Sequence, residues 1–186
     1  MSDIPFLNPT ILKQLDLPVP DREQTAGILP ALNLNQPFQP SIELQAYQKL
    51  YGLDVLDGVH WQGFIEMPLF KLHVQVFQPK IDKIKGTVFL LHGYLEHSGI
   101  YQPIVHELLE QGFSVLTYDL PGHGLSTGVP ASIQNFDHYQ QVLHAVYQYV
   151  KNADQLPKPW LGIGQSTGGA IFMHQLLEYA EQRRNP

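Results

Sequence analysis

The sequence predicts an α/β fold in which an antiparallel hairpin leads into three strand–helix units of a mostly parallel sheet. Three observations carry that expectation. Apolar residues alternate with Lys71, His73 and Gln75 across residues 70–76, the period of a strand with one buried face. Three short apolar runs, TVFLL at 87–91, SVLTY at 114–118 and WLGIG at 160–164, are each followed by a segment with helical spacing. Strands alternating with helices imply right-handed crossovers onto a parallel sheet.

The elements follow in order along the chain. Residues 1–57 read as an irregular N-terminal arm with one short helix, and residues 58–186 as a partial α/β domain. Prolines at 5, 9, 18, 20, 30, 37 and 40 break any sustained periodicity in the arm. Ser41 is placed to cap a helix over IELQAYQKLY, with Gly52 ending it. WQGFIEM, joined through Pro68, is the antiparallel partner of the 70–76 strand, which would turn His73 toward solvent. Helices are expected over 101–111, closed by Gly112, then over 136–150 and 168–181, the last of them amphipathic.

Composition removes several classes of function. With 11 basic and 17 acidic side chains the formal net charge is −6, which gives no electrostatic case for nucleic acid or for a basic membrane-surface patch. The absence of cysteine excludes disulfides and thiolate chemistry. Nine histidines are scattered, with no HExxH-like pattern, so no metal is expected. The N-terminus has no basic-then-apolar leader, and no run approaches the roughly 18 apolar residues of a spanning helix. A cytoplasmic protein without a transmembrane segment is the resulting expectation.

In open parallel sheets ligands bind beyond the carboxyl ends of the strands, and each of the three runs is followed there by an unusual loop. GQSTGG follows the third. It contains GxSxG at Gly164, Ser166 and Gly168, between an apolar strand and a helix, which is the context in which such a serine stands exposed on a strained turn. The helix start beyond it favours negative charge, and the Thr167 N–H is available to an oxyanion. A glycine-rich turn with a capping serine is the plainer alternative. HGYLEHSGIY follows the first run, where Gly93 permits a turn that would aim the Tyr94 N–H at Ser166. His92 is either a structural residue or a general base. The structural reading is favoured because no carboxylate is evident beside it. Glu96, His97 and Ser98 are expected to brace this loop. DLPGHGLSTG follows the second run as a tight turn through Gly122. Asp119 and His123, four residues apart in one turn, are badly spaced for an acid behind a base, so both are assigned to loop stability.

These three motifs resemble those of the monoacylglycerol lipase and lysophospholipase-like branch of the α/β-hydrolases, also labelled serine aminopeptidase-like. HGYLEHSGIY is similar to that family's HGxxEHSGRY, DLPGHGLSTG to its DxxGHGxSxG, and GQSTGG to its GHSMGG, over about residues 58–182. The resemblance implies the N-terminal part of an α/β-hydrolase fold. It also implies hydrolysis of carboxylic esters of monoacylglycerol or lysophospholipid type through an acyl-enzyme on Ser166. The N–H groups of Tyr94 and Thr167 would form the oxyanion hole, and no cofactor is required. Gln165, Thr167 and Ile100 stand where the family has histidine, methionine and arginine, departures that bear on substrate preference.

The family places its triad aspartate and histidine after later strands, in the order Ser, Asp, His. The chain ends at Pro186, so both are expected to be absent, and with them the lid. Weak or no activity follows for this chain alone, and the last strand would be an uncovered sheet edge open to self-association. Two further functions stay open: a non-catalytic hydrolase-like binding module, and acyl transfer, peptidase or haloperoxidase-like chemistry on the same fold.

Overall fold

The computed structural model describes residues 29–36 and 38–184. Prolines 5, 9, 18, 20 and 37 of the expected arm lie outside the described residues. Residues 29–36 run along the first strand: Phe64 N donates to Pro30 O and Leu32 N to Phe64 O, each at 2.9 Å. Leu29, Leu32 and Leu34 are buried there.

Helix α1 spans Ile42–Leu50. Ser41 Oγ accepts the Leu44 N–H at 3.4 Å, and Gly52 follows the helix in the left-handed region at φ 67°. Strands β1 (Val59–Glu66) and β2 (Lys71–Gln78) then form the hairpin, with Trp61 opposite Val76 and Glu66 opposite Lys71. The remaining elements are β3 (Thr87–Leu91), α2 (Gln102–Glu110), β4 (Ser114–Tyr118), α3 (Asp137–Ala153), β5 (Trp160–Gly164) and α4 (Thr167–Arg184). A 3-10 turn, Ser98–Tyr101, precedes α2. The five strands are ordered β1-β2-β4-β3-β5, with β4 and β5 both parallel to β3 and the hairpin antiparallel to them.

Period-2 side chains divide the core into two layers. Leu72, Val74, Val76, Phe89, Leu91, Leu116 and Tyr118 point to the face covered by α3 (Val142, Leu143, Val146, Val150) and by Ile171 of α4. Phe64, Phe77, Leu90 and Val115 point to the opposite face, covered by α1 (Leu44, Tyr47) and α2 (Val105, Leu109). All three central strands are buried from end to end except at β2's termini.

That burial corrects the expectation for His73. The β2 alternation separates an apolar layer from a polar one, and both are inside. His73 and Gln75 have no exposed surface, because β2 lies between β1 and β4 under α1. Buried polar groups require partners, and these have them. His73 Nε2 lies 2.7 Å from Gln62 Nε2, and Gln75 Nε2 donates to Ser98 Oγ at 2.9 Å.

The β5 side differs. Leu161 and Ile163 are 44% and 43% exposed, and Met173, Leu176, Leu177 and Tyr179 of α4 are open as well. In α4 Ile171 is fully buried while Met173, Leu176, Leu177 and Tyr179 are exposed, so its apolar side chains are not gathered on the covered face, as the amphipathic helix expected from its spacing would have them. Among the described residues no helix is long and apolar enough to cross a membrane.

Candidate active site

Strand β5 ends at Gly164, the chain turns through Gln165 and Ser166, and α4 begins at Thr167. The turn is tight enough that Ser166 takes φ 47°, a left-handed conformation that costs a non-glycine residue roughly 1–2 kcal/mol. Local bonds hold it there. Gln165 N donates to Leu91 O at 3.0 Å, Gly168 N to Gln165 O at 2.8 Å and Ala170 N to Ser166 O at 2.9 Å. Glycine is obligatory on both sides, since a Cβ at Gly164 would stand 2.5 Å from Gly169 N and one at Gly168 2.5 Å from Leu91 O. Ser166 is exposed at the start of the 18-residue α4, whose first-turn N–H groups give that end partial positive character. No histidine among the described residues is hydrogen-bonded to the Ser166 hydroxyl.

The loop after β3 lies against this turn. A Cβ placed on Gly93 would be 3.4 Å from Ser166 Cβ. His92 is fully buried and uses both ring nitrogens on backbone: Nδ1 donates to Gly93 O at 2.7 Å and Nε2 accepts the Leu120 N–H at 2.8 Å. Burial pushes His92 down to about 4, against the opposing charge of Asp119 and its bond to Gly93, so it is neutral. Tyr94 is exposed, and its hydroxyl donates to Ala131 O at 2.9 Å. Leu95 also takes a positive φ, 63°. The backbone N–H groups of Tyr94 and Thr167 make no backbone hydrogen bond elsewhere in the described chain. Glu96 Oε2 accepts the Gly93 N–H at 2.8 Å and the Tyr101 hydroxyl at 2.6 Å. His97 Nδ1 accepts the Gly99 N–H at 3.2 Å, and burial lowers the His97 pKa.

The loop after β4 is organised by Asp119, which faces His73 and not His123. Asp119 has no exposed surface. Its Oδ1 accepts Ser98 N at 2.7 Å, and its Oδ2 accepts Leu125 N and His73 Nδ1, both at 2.8 Å. Burial raises its pKa, but the charge and hydrogen bond of His73, with smaller contributions from His97 and His92, overcome that and hold the carboxyl far below the usual range. His123 Nδ1 donates to Pro121 O at 2.9 Å, and its buried Nε2 has no partner in the described chain. Gly122, at φ 75°, exchanges backbone bonds with Thr127 and Ala131.

The sequence-predicted residues thus separate into two groups. Ser166, Gln165, Thr167, Gly93 and Glu96 come together around one turn, and Tyr94 extends that loop. Asp119, His92, His97 and His123 form a buried support beneath the loops. Tyr101, Gln75, Gln62 and His73 belong to these networks and were not read as site residues. The one available signal was polar residues inside a strand that is otherwise apolar.

The arrangement agrees with what the chain is similar to. The serine aminopeptidase S33 family (Hydrolase_4) matches residues 82–184, more than half of the chain. The caffeoylshikimate esterase of Arabidopsis thaliana is 31% identical over 114 residues, which are 60% of this chain and 34% of that protein. The monoacylglycerol lipase of Mycolicibacterium smegmatis is 30% identical over 52% of this chain and 34% of its own length. The chain therefore spans about a third of these relatives. Among solved structures, ferulic-acid-bound Est1E from Butyrivibrio proteoclasticus superposes with a TM-score of 0.53 at 26% identity, over 59% of this chain and 45% of that one. With its strand order, its turn at Ser166 and these matches, the chain belongs to the serine aminopeptidase S33 family and has the α/β-hydrolase fold in part.

Proposed function

We propose that this chain carries the nucleophile and oxyanion hole of a carboxylic ester hydrolase acting on acyl esters of the monoacylglycerol or lysophospholipid kind. The observation that carries the reading is Ser166, held exposed at φ 47° beside a loop whose Tyr94 N–H, like that of Thr167, is not used by the backbone. Ser166 Oγ would attack the acyl carbonyl, and the two N–H groups would take the charge that develops on its oxygen. Expulsion of the alcohol leaves an acyl-serine that water hydrolyses. The general base and its orienting carboxylate would come from outside the described residues: His92 and His73 spend their ring nitrogens on the support network, and His123, bonded through Nδ1 to Pro121 O, makes no hydrogen bond to Ser166. The substrate class is supported by the relatives' names and by the rim of the site. Residues 120–136 carry no Asp, Glu, Lys or Arg, while Tyr94, Leu95 and Val129 stand exposed.

The test is hydrolysis of a short-chain p-nitrophenyl ester by the purified chain against Ser166→Ala. Without a positioned base, binding and the oxyanion hole alone support acceleration on the order of 10³ to 10⁴ over water, and Ser166→Ala should abolish acyl-serine formation seen by mass spectrometry. Equal rates and no acyl adduct in either protein would remove the enzyme reading. They would favour a binding module.

A further inference from the structure

We propose that Glu96 is the positioning residue that fixes the Tyr94 N–H over Ser166, with Tyr101 and Gln165 locking its carboxylate to the nucleophile's own turn. The proposal rests on the reading of Ser166 as nucleophile. Glu96, Tyr101 and Gln165 make a closed circuit to which Gly93 is attached: Glu96 Oε2 accepts from Gly93 N (2.8 Å), the one Tyr101 hydroxyl proton is shared between Glu96 Oε2 (2.6 Å) and Gln165 Oε1 (2.9 Å), and Gln165 Nε2 reaches back to Glu96 Oε1 at 3.4 Å. Glu96 N also donates to Gly93 O at 3.3 Å, so the loop is closed from both ends of residues 93–96.

The consequence is geometric. The Glu96 carboxylate occupies the Gly93 N–H and leaves the next one, that of Tyr94, without a backbone acceptor. Leu95 at φ 63° is strained, and such a conformation persists only where surrounding bonds over-determine it. The circuit supplies that constraint and ties it, across 69 residues of chain, to the residue preceding Ser166. Gln165, which replaces the histidine of the resembling motif, provides one acceptor and one donor at fixed positions. These match a hydroxyl on one side and a carboxylate on the other.

Electrostatics separates this role from a bystander's. A carboxylate close to a developing oxyanion opposes it, so neutralising an idle Glu96 should accelerate acylation. If Glu96 positions the loop, Glu96→Gln should slow it instead, because a neutral amide oxygen accepts more weakly than the carboxylate from Gly93 N and Tyr101 Oη, and the new NH2 in the place of Oε1 faces the Gln165 Nε2 donor.

The first readout needs no catalysis. In the ¹⁵N-labelled chain the Gly93 amide proton is expected downfield and protected from exchange. In Glu96→Gln it should move upfield, with the Tyr94 and Leu95 amides broadened or doubled while the rest of the spectrum is retained. Tyr101→Phe should perturb the same three amides less, and carries the test if Glu96→Gln does not fold. Unchanged Tyr94 and Leu95 amides in a folded variant would overturn the proposal. The second readout is Ser166-dependent ester cleavage, where Glu96→Gln should lower kcat about tenfold with KM within about twofold. A rise in kcat would also overturn it. A wild type that neither outpaces Ser166→Ala nor forms an acyl-Ser166 adduct would instead refute the nucleophile reading, leaving the amide result to decide the position of the loop.

Discussion

Strands β4 and β5 flank β3 in the same parallel sense, yet they end in opposite situations. β4 is buried along its whole length between β3 and β2, and its carboxyl end delivers Asp119 into a pocket of three donors. Among the described residues β5 pairs on one side only, its Leu161 and Ile163 stay nearly half exposed, and its end delivers Ser166 to solvent. Burial is concentrated on the β4 side, and the proposed nucleophile stands on the β5 side. A strained serine can be presented there because it is held by hydrogen bonds, those of its own turn and that of Gln165 N to Leu91 O on β3, with little burial of the strand that carries it.

The largest expected effect breaks the well-packed side. Asp119→Ala would leave Ser98 N, Leu125 N and His73 Nδ1 without their acceptor, a loss of about 3–5 kcal/mol. Ser166→Ala, at the matching position after β5, removes no hydrogen bond and should change stability by less than about 1 kcal/mol. Urea denaturation of both variants checks the contrast. Similar midpoints would mean that the two strand ends are not energetically different.

Acid should act through the same side. His92 titrates near 4 in the folded chain because burial disfavours its charge, whereas an unfolded histidine titrates near 6.5. Between those values the unfolded chain binds the extra proton, so this contribution is complete above about pH 6.5 and is lost as pH falls toward 4, amounting to about 3 kcal/mol. His60, pushed down to about 3 chiefly by burial, acts in the same direction, and Asp119 adds its own loss only below the ordinary carboxylate range. Urea midpoints followed from pH 8 to pH 4.5 should decline steadily below about 6.5. A flat profile would show that these histidines are not buried neutral.

The same contrast explains what the sequence revealed. TVFLL, SVLTY and WLGIG are strands at the residues expected, because a short apolar run bounded by glycine or a loop has few other uses in a parallel sheet. GQSTGG was legible because a positive φ at Ser166 leaves no room for side chains at Gly164 and Gly168, and that demand is written into the sequence itself. His73 was misread because alternation reports that two faces differ, not that one is wet. Its partners, Gln62 and Asp119, are 11 and 46 residues away. The Glu96–Tyr101–Gln165 circuit was hidden for the same reason, since Gln165 meets the other two only when β3 and β5 pair. Local constraint is readable, whereas long-range polar partnership depends on the fold.

The smallest effect on stability sharpens the comparison most. Leu90 and Ile163 are register partners on adjacent strands, but Leu90 is 1% exposed and Ile163 is 43% exposed. Leu90→Lys would bury an unpaired charge and unfold the chain, while Ile163→Lys should cost no more than about 0.5 kcal/mol. Its effect should appear in association. The outer edge of β5 is unpaired among the described residues and carries neither charge nor proline, the condition under which strands of separate molecules join. A lysine there should lower the apparent mass seen by sedimentation as concentration is raised. If association persists, the exposed Leu176 and Leu177 of α4 become the contact, and Leu177→Lys should lower it instead. Either outcome separates an edge that recruits backbone from a helix face that only buries oil, a distinction that exposure alone does not make.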